Sequence, residues 1–206
     1  MKIGIIGAGN VGGTLGKAWA AKGHDVQFGV RDPAKHAGLP GRTTTPAEAA
    51  AHGEILFLTV PWSAVPATLA GLGDLTGKVL VDCTNPIAPG PSLAVGHTTS
   101  GGEEVAKLAP GARVVKGFHT VGAENMARPR YGDQAAVNPL CGDDAAAKEL
   151  AATLSRELGW EPVDAGPLSQ ARLTEPLALL WITLAMKQGL GREFAFGLLQ
   201  REPVKA

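Results

Sequence analysis

The stretch Lys2-Ile3-Gly4-Ile5-Ile6-Gly7-Ala8-Gly9-Asn10-Val11-Gly12-Gly13 decides the fold. Ile3 to Ile6 is a continuous apolar run, as a parallel strand buried on both faces requires. Glycines follow at the spacing of Gly7, Gly9 and Gly12, and a helical pattern runs from Val11 to Ala21. Each glycine has its own task in such a turn. The first makes the tight bend, the second lets backbone approach a pyrophosphate, and the third lets the helix close on the strand. The helix then directs free N–H groups and its positive dipole end at the phosphates. Among 28 glycines the bare spacing is weak evidence; its place between a strand and a helix carries the reading.

Outward from this turn, short apolar runs alternate with helical patterns. Asp25–Gly29, Glu54–Val60, Val79–Val81, Arg113–Phe118, Val137–Cys141 and Glu161–Val163 read as strands. Between them, Pro46 opens an alanine-rich helix, and Ser63–Leu72, Glu103–Ala109 and Asp143–Leu158 read as helices, the last capped by an aspartate. Thr84 to Gly102, rich in Pro, Gly, Ser and Thr, reads as a long loop of the kind that often serves function. The predicted architecture is a Rossmann-type α/β fold, a doubly wound and mostly parallel sheet with a small C-terminal helical subdomain. The nucleotide-binding domain is expected over residues 1–165. Residues 166–206 are expected to form two helices, interrupted near Gln188–Gly191, that complete the substrate pocket.

Lys+Arg and Asp+Glu are equal at 19 each, so no global field draws nucleic acid or an anionic membrane, and any anion site is local. Cys83 and Cys141 have no metal-ligand spacing, and a metal site is not expected. A first strand with no leader-like succession before it, together with few thiols, gives a cytoplasmic expectation. The apolar stretch Leu177–Met186 is too short to span a bilayer and reads as a buried helix.

The end of the second strand separates the two nicotinamide cofactors. An NAD site places a carboxylate there to hold the ribose hydroxyls. Here the strand ends Phe28-Gly29-Val30-Arg31, with Lys35 four residues on, and two cations suit the 2′-phosphate of NADP(H). Asp32, before Pro33, reads as a turn residue. A solvated cationic surface turn is the plainer alternative.

With these residues placed, the chain resembles the coenzyme F420-dependent NADP oxidoreductases and the dinucleotide-binding enzymes around them. The resemblance rests on Gly9-Asn10-Val11-Gly12, Val30-Arg31 with Lys35, and Leu58-Thr59-Val60-Pro61-Trp62. It continues through His119-Thr120 with Ala123, Cys141-Gly142-Asp143-Asp144, and Asp164-Ala165-Gly166-Pro167-Leu168-Ser169. It implies that Ala8 to Val11 meet the pyrophosphate and that Val30, Arg31 and Lys35 hold the 2′-phosphate. It further implies that Pro61, Trp62 and Val65 run along the nicotinamide side, with Ala123 near the carboxamide; Thr59, Val60 and Asn85 are also expected among the cofactor-binding residues. The implied reaction is direct hydride transfer between NADPH and the deazaflavin coenzyme F420, in a homodimer. The continuation Glu124-Asn125-Met126 and the loop Asp82–Pro86 resemble relatives of unassigned substrate instead.

Hydride transfer asks for positioning, since the cofactor carries the reactivity. Of the five histidines, His119 is the candidate catalytic residue, at the end of an apolar strand where open parallel sheets bind ligands. It would stabilise charge on the acceptor or supply a proton; a hydrogen-bonded structural histidine is the alternative. Other acceptors (a flavin, a metal chelate, an imine) and a non-catalytic NADPH-sensing role remain open readings.

Overall fold

The structure is a computed structural model, and it describes residues 1–36, 38–90 and 92–201. The chain begins with β1 (Lys2–Ile6), α1 (Asn10–Ala21), β2 (Asp25–Gly29) and β3 (Arg42–Thr44). Next come α2 (Pro46–His52), β4 (Ile55–Leu58), α3 (Val65–Ala70), β5 (Val79–Asp82), the hairpin β6 (Ile87–Ala88) and β7 (Ser92–Leu93), α4 (Gly101–Leu108) and β8 (Arg113–Lys116). A small hairpin, β9 (Arg130–Tyr131) and β10 (Gln134–Ala135), precedes β11 (Val137–Gly142), α5 (Ala145–Leu158), β12 (Glu161–Gly166) and α6 (Ala171–Met186). The eight long-range strands form one sheet in the order β12-β11-β8-β5-β4-β1-β2-β3. All neighbours are parallel except β11 against β8, so the sheet is doubly wound and Rossmann-like, as expected.

Local chemistry explains the helix starts. Thr45 and Glu48 form a capping box at α2, Ser100 accepts from the Glu103 N–H at α4, and Asp144 accepts from the Ala147 N–H at α5. The expected aspartate cap is thus Asp144; Asp143 instead accepts the Leu168 N–H at 3.0 Å. Lys148 joins the same corner, donating to Asp164 Oδ1 at 2.6 Å. The two stretches Cys141–Asp144 and Asp164–Ser169 therefore hold each other and shape the fold.

One face of the sheet is packed by Trp19, Phe57, Phe118 and Trp160, which meet in sequence at centroid distances of 4.3, 5.6 and 6.0 Å. The two indoles donate to the Leu154 and Met126 carbonyls, so their polar atoms are satisfied within the core.

Three expectations change. The edge strand β3 was not read, because a three-residue strand carries no periodicity. The loop over 84–102 contains the β6–β7 hairpin, although its residue 91 lies outside the described residues. Past α6 no second helix forms through residue 201. Gly189 and Gly191, at φ 72° and 77°, break the pattern. The strand-like strap beyond them is held where Trp181 Nε1 donates to the Phe194 carbonyl and the Val137 N–H donates to the Phe196 carbonyl, both at 2.9 Å. Residues 202–206 of the expected C-terminal segment lie outside the described residues. Among the described residues no helix is long and apolar enough to cross a membrane, and none of the His, Cys, Asp and Glu side chains group as metal ligands would.

Candidate functional site

The glycine turn joins β1 to α1 at the carboxyl edge of the sheet. Gly7 stands at φ 101°, and its N–H donates to the Gly29 carbonyl at 2.9 Å, tying the turn to the end of β2. A Cβ at Gly12 would lie 2.1 Å from the Gly7 carbonyl oxygen, so the third glycine is demanded by the protein itself. A Cβ at Gly9 would meet nothing within 4 Å. The second glycine is thus not required by any protein neighbour, as expected if the close approach is that of a ligand. At this helix start no side chain caps the backbone, unlike at α2, α4 and α5. The first-turn N–H groups of Asn10, Val11 and Gly12 are left for an anion. These residues fit a dinucleotide pyrophosphate.

Thr59 serves the turn from below. Its hydroxyl lies 3.0 Å from the Ile6 carbonyl and 2.8 Å from that of Gly7, so it braces the cradle and has no donor left for a cofactor. Val60 backs Gly7, while exposed Pro61 and half-buried Trp62 lead into a 3₁₀ turn. Val65, expected on the nicotinamide side, is fully enclosed in the core with Leu69, and supports that wall from behind. Ala8 and Val11 are half-buried against the main core, and the turn holding Ala123 packs on α1.

At the end of β2 the Val30 side chain is 6% exposed, and its N–H donates to the Thr44 carbonyl. Arg31 follows on the surface, two residues from the carbonyl that holds Gly7, and makes no ion pair among the described residues. Lys35 lies 3.0 Å from Asp32 in an exposed pair of little strength. Among the described residues Arg31 is therefore the cation without an ion pair beside the cradle, and Lys35 is held to Asp32 only weakly.

The carboxyl ends of β5 and β8 form the second part of the site. Asn85 Nδ2 donates to the His119 carbonyl at 2.9 Å. The His119 ring is 3% exposed, with Nε2 3.1 Å from Thr174 Oγ1. Burial first, and then the charge of Lys116, hold its pKa well below the ordinary histidine range. The ring is therefore neutral at pH 7, a hydrogen-bonding group and not an imidazolium that supplies a proton. Thr84 Oγ1, Asn85 Oδ1 and Thr120 Oγ1 are buried without a protein partner at two neighbouring strand ends, while the Gly117 backbone lies against the His119 ring. Buried polar groups are seldom left so, and three at adjoining strand ends fit a place that meets polar atoms from outside the chain.

Sequence reasoning missed Thr84, Thr120 and Thr174, and also a buried ionic group of Lys116, Asp82 and Glu175. The signal was present for two of them: Lys116 lies within an apolar run and Asp82 ends one. A groove of about 540 Å³, lined in part by Arg130, Arg156 and Trp160, lies beside β12, remote from the glycine turn. Its arginines are engaged with the Asp133 carbonyl and Glu149, so the chemistry lies elsewhere.

Fold and cradle together define a Rossmann-type dinucleotide-binding protein. The family model described as NADP oxidoreductase coenzyme F420-dependent matches residues 2–86. An F420-dependent NADP reductase of Methanothermobacter marburgensis is 31% identical over 213 residues, covering 91% of this chain and 93% of that protein. A crystal structure of a candidate F420-dependent NADP reductase from Arthrobacter sp. FB24 superposes with a TM-score of 0.88 at 32% identity, over 97% of this chain and all of that one. The metalloreductase STEAP3 of Rattus norvegicus is 34% identical over 186 residues, but the chain spans only 37% of its length. The chain belongs to the coenzyme F420-dependent NADP oxidoreductase family, a class of NADP-dependent oxidoreductases.

Proposed function

We propose that the protein transfers a hydride between NADPH and the deazaflavin coenzyme F420. The observation that carries this reading is the pairing, on one sheet edge, of a phosphate cradle at β1 with a cluster of neutral unpartnered polar atoms at β5 and β8. In this reading the backbone of Gly7 to Gly12 holds the pyrophosphate, and Arg31, with Lys35, holds the 2′-phosphate. Val60, Pro61, Trp62 and Ala123 flank the nicotinamide. Thr84, Asn85, His119 and Thr120 orient the polar edge of the acceptor, and a ring edge with carbonyl and N–H groups matches their mixed donor and acceptor capacity. When bound, NADPH supplies the hydride; reduction of a deazaflavin also takes up a proton, and His119, whose pKa burial holds well below the ordinary range, serves as a hydrogen-bonding group in that step. A second copy as partner is part of this reading, supported by Leu173 and Leu180, 68% and 47% exposed on α6.

A second reading follows from the likeness to the metalloreductase: the hydride of NADPH would pass to an acceptor that serves metal reduction. One assay separates the two. The purified protein is mixed with NADPH and oxidised coenzyme F420, then with NADH, and then with a flavin. Bleaching of the deazaflavin band with NADPH alone is the expected result. Bleaching of the flavin alone overturns the deazaflavin assignment in favour of the second reading.

A further inference from the structure

Lys116 ends β8 with its side chain fully buried, which lysine seldom is unless paired. Its ammonium lies 2.9 Å from Asp82 Oδ2 and 3.1 Å from Glu175 Oε1, and it donates to the Thr84 carbonyl at 2.6 Å. Asp82 and Glu175 are themselves fully buried. Asp82 Oδ1 also accepts the Thr84 N–H at 2.9 Å, and the Glu175 carboxylate accepts the Gly101 and Gly102 N–H groups at 2.9 and 3.0 Å. The network joins β5, β8, the start of α4 and α6 at one point.

Fold stability gives no reason for three buried charges. Desolvating each costs several kcal/mol, and apolar residues of equal volume serve as well or better. What the network does provide is a fixed surround for one ring. Asn85, next to the Thr84 that Lys116 pins, donates to the His119 carbonyl. Thr174, next to Glu175 on α6, faces His119 Nε2. Both neighbours that hold His119 thus sit next in the chain to residues that Lys116 contacts.

We propose that Lys116, with Asp82 and Glu175, is a positioning unit for His119. It locks the β5 exit and α6 against the ring and sets the field in which the ring works. The proposal rests on the reading of His119 as an acceptor-side residue. The titratable groups on the elements packed around the ring are Lys116 on β8, Asp82 and Cys83 at β5, Glu175 and Arg172 on α6, Glu103 on α4 and Cys141 on β11. Arg172 and Glu103 pair with each other at 2.6 Å. Burial pushes both thiols up, that of Cys141 to about 11, so neither carries charge. Lys116 is the one cation of the group without an exposed face.

The test follows the His119 ring by ¹⁵N NMR across pH in the free protein, with NADPH–coenzyme F420 turnover measured alongside. In the unaltered protein the ring titration is expected well below the ordinary histidine range. In Lys116→Met the ring titration moves to higher pH, and turnover falls roughly tenfold or more while KM for NADPH holds, as for a lost transition-state contact. The pair Lys116→Met/Glu175→Gln, which removes one charge of each sign, is expected to behave in the same direction. A folded variant with unchanged ring titration and turnover overturns the proposal. So does unfolding of both variants, which would assign the network to the fold alone. A moved ring titration in a protein that does not reduce coenzyme F420 upholds the positioning unit and rejects the acceptor.

Discussion

Asn138 Oδ1 accepts the backbone N–H of Phe118 at 2.8 Å, and Phe118 stands at φ 55°. An aromatic residue in the left-handed region is strained, and such strain gathers at functional sites. Here it turns the chain off β8 immediately before His119. Asn138 is fully buried and its other amide atom donates to Ser155 Oγ at 3.0 Å, so β11 and α5 together hold the bend.

Asn138→Leu is therefore expected to leave the Phe118 N–H and the Ser155 hydroxyl unpartnered. The free energy of unfolding in urea should fall by about 1–3 kcal/mol for such a buried loss. An unchanged urea midpoint would show that the bend does not depend on this bond.

The glycines of the cradle are expected to separate cleanly. In Gly9→Ala the new methyl meets no protein atom within 4 Å, so the melting temperature without ligand should hold while NADPH affinity drops roughly tenfold, about 1.4 kcal/mol. In Gly12→Ala the methyl would lie 2.1 Å from a carbonyl oxygen, so the protein itself should melt lower. Calorimetry with and without NADPH measures both, and equal melting losses in the two variants would contradict the assignment.

Arg31→Ala is expected to weaken NADPH binding by about 1.5–3 kcal/mol, the range for hydrogen bonds to a charged group, and to leave NADH binding unchanged. Isothermal titration with both nucleotides decides it. Parallel losses for the two would remove the 2′-phosphate from Arg31.

The capping box of α2 sets a pH dependence. Hydrogen bonds from the Thr44 hydroxyl, then from the Thr45 backbone and hydroxyl, lower the Glu48 pKa to about 2. Its folded value lies below its unfolded one. Its contribution to stability is thus complete above the ordinary carboxylate range and is lost as pH falls through about 2. Glu48→Gln should be less stable than the unaltered protein at pH 6, with the gap closing toward pH 2. A gap constant with pH would mean that the carboxylate charge plays no part.

Much of the site was legible because its physics is local. Gly7, Gly9 and Gly12 are read from their spacing between a strand and a helix, and the structure gives each the steric setting that spacing implies. Arg31 is read from its place at a strand end. Thr59 lies beside the cradle, but no pattern in sequence says that its hydroxyl is spent on two carbonyls of the neighbouring turn. Val65 is core and not lining, a distinction sequence cannot make, because one apolar residue at a helix start looks the same in either setting. The position of His119 at a strand end is legible in sequence, but not its charge state: that follows from burial and from Lys116, which only packing brings about.

By itself the sequence determined the order of strands and helices, the glycine cradle and the family, all of which depend on residues near one another in the chain. Only the tertiary structure decided the antiparallel entry of β11, the bend at Phe118 and the burial of Lys116 between Asp82 and Glu175. Those partners lie 34 and 59 residues from Lys116, at positions 82 and 175. A charge in an apolar run can be recognised in sequence, but which opposite charge neutralises it is fixed by sheet order and helix packing alone.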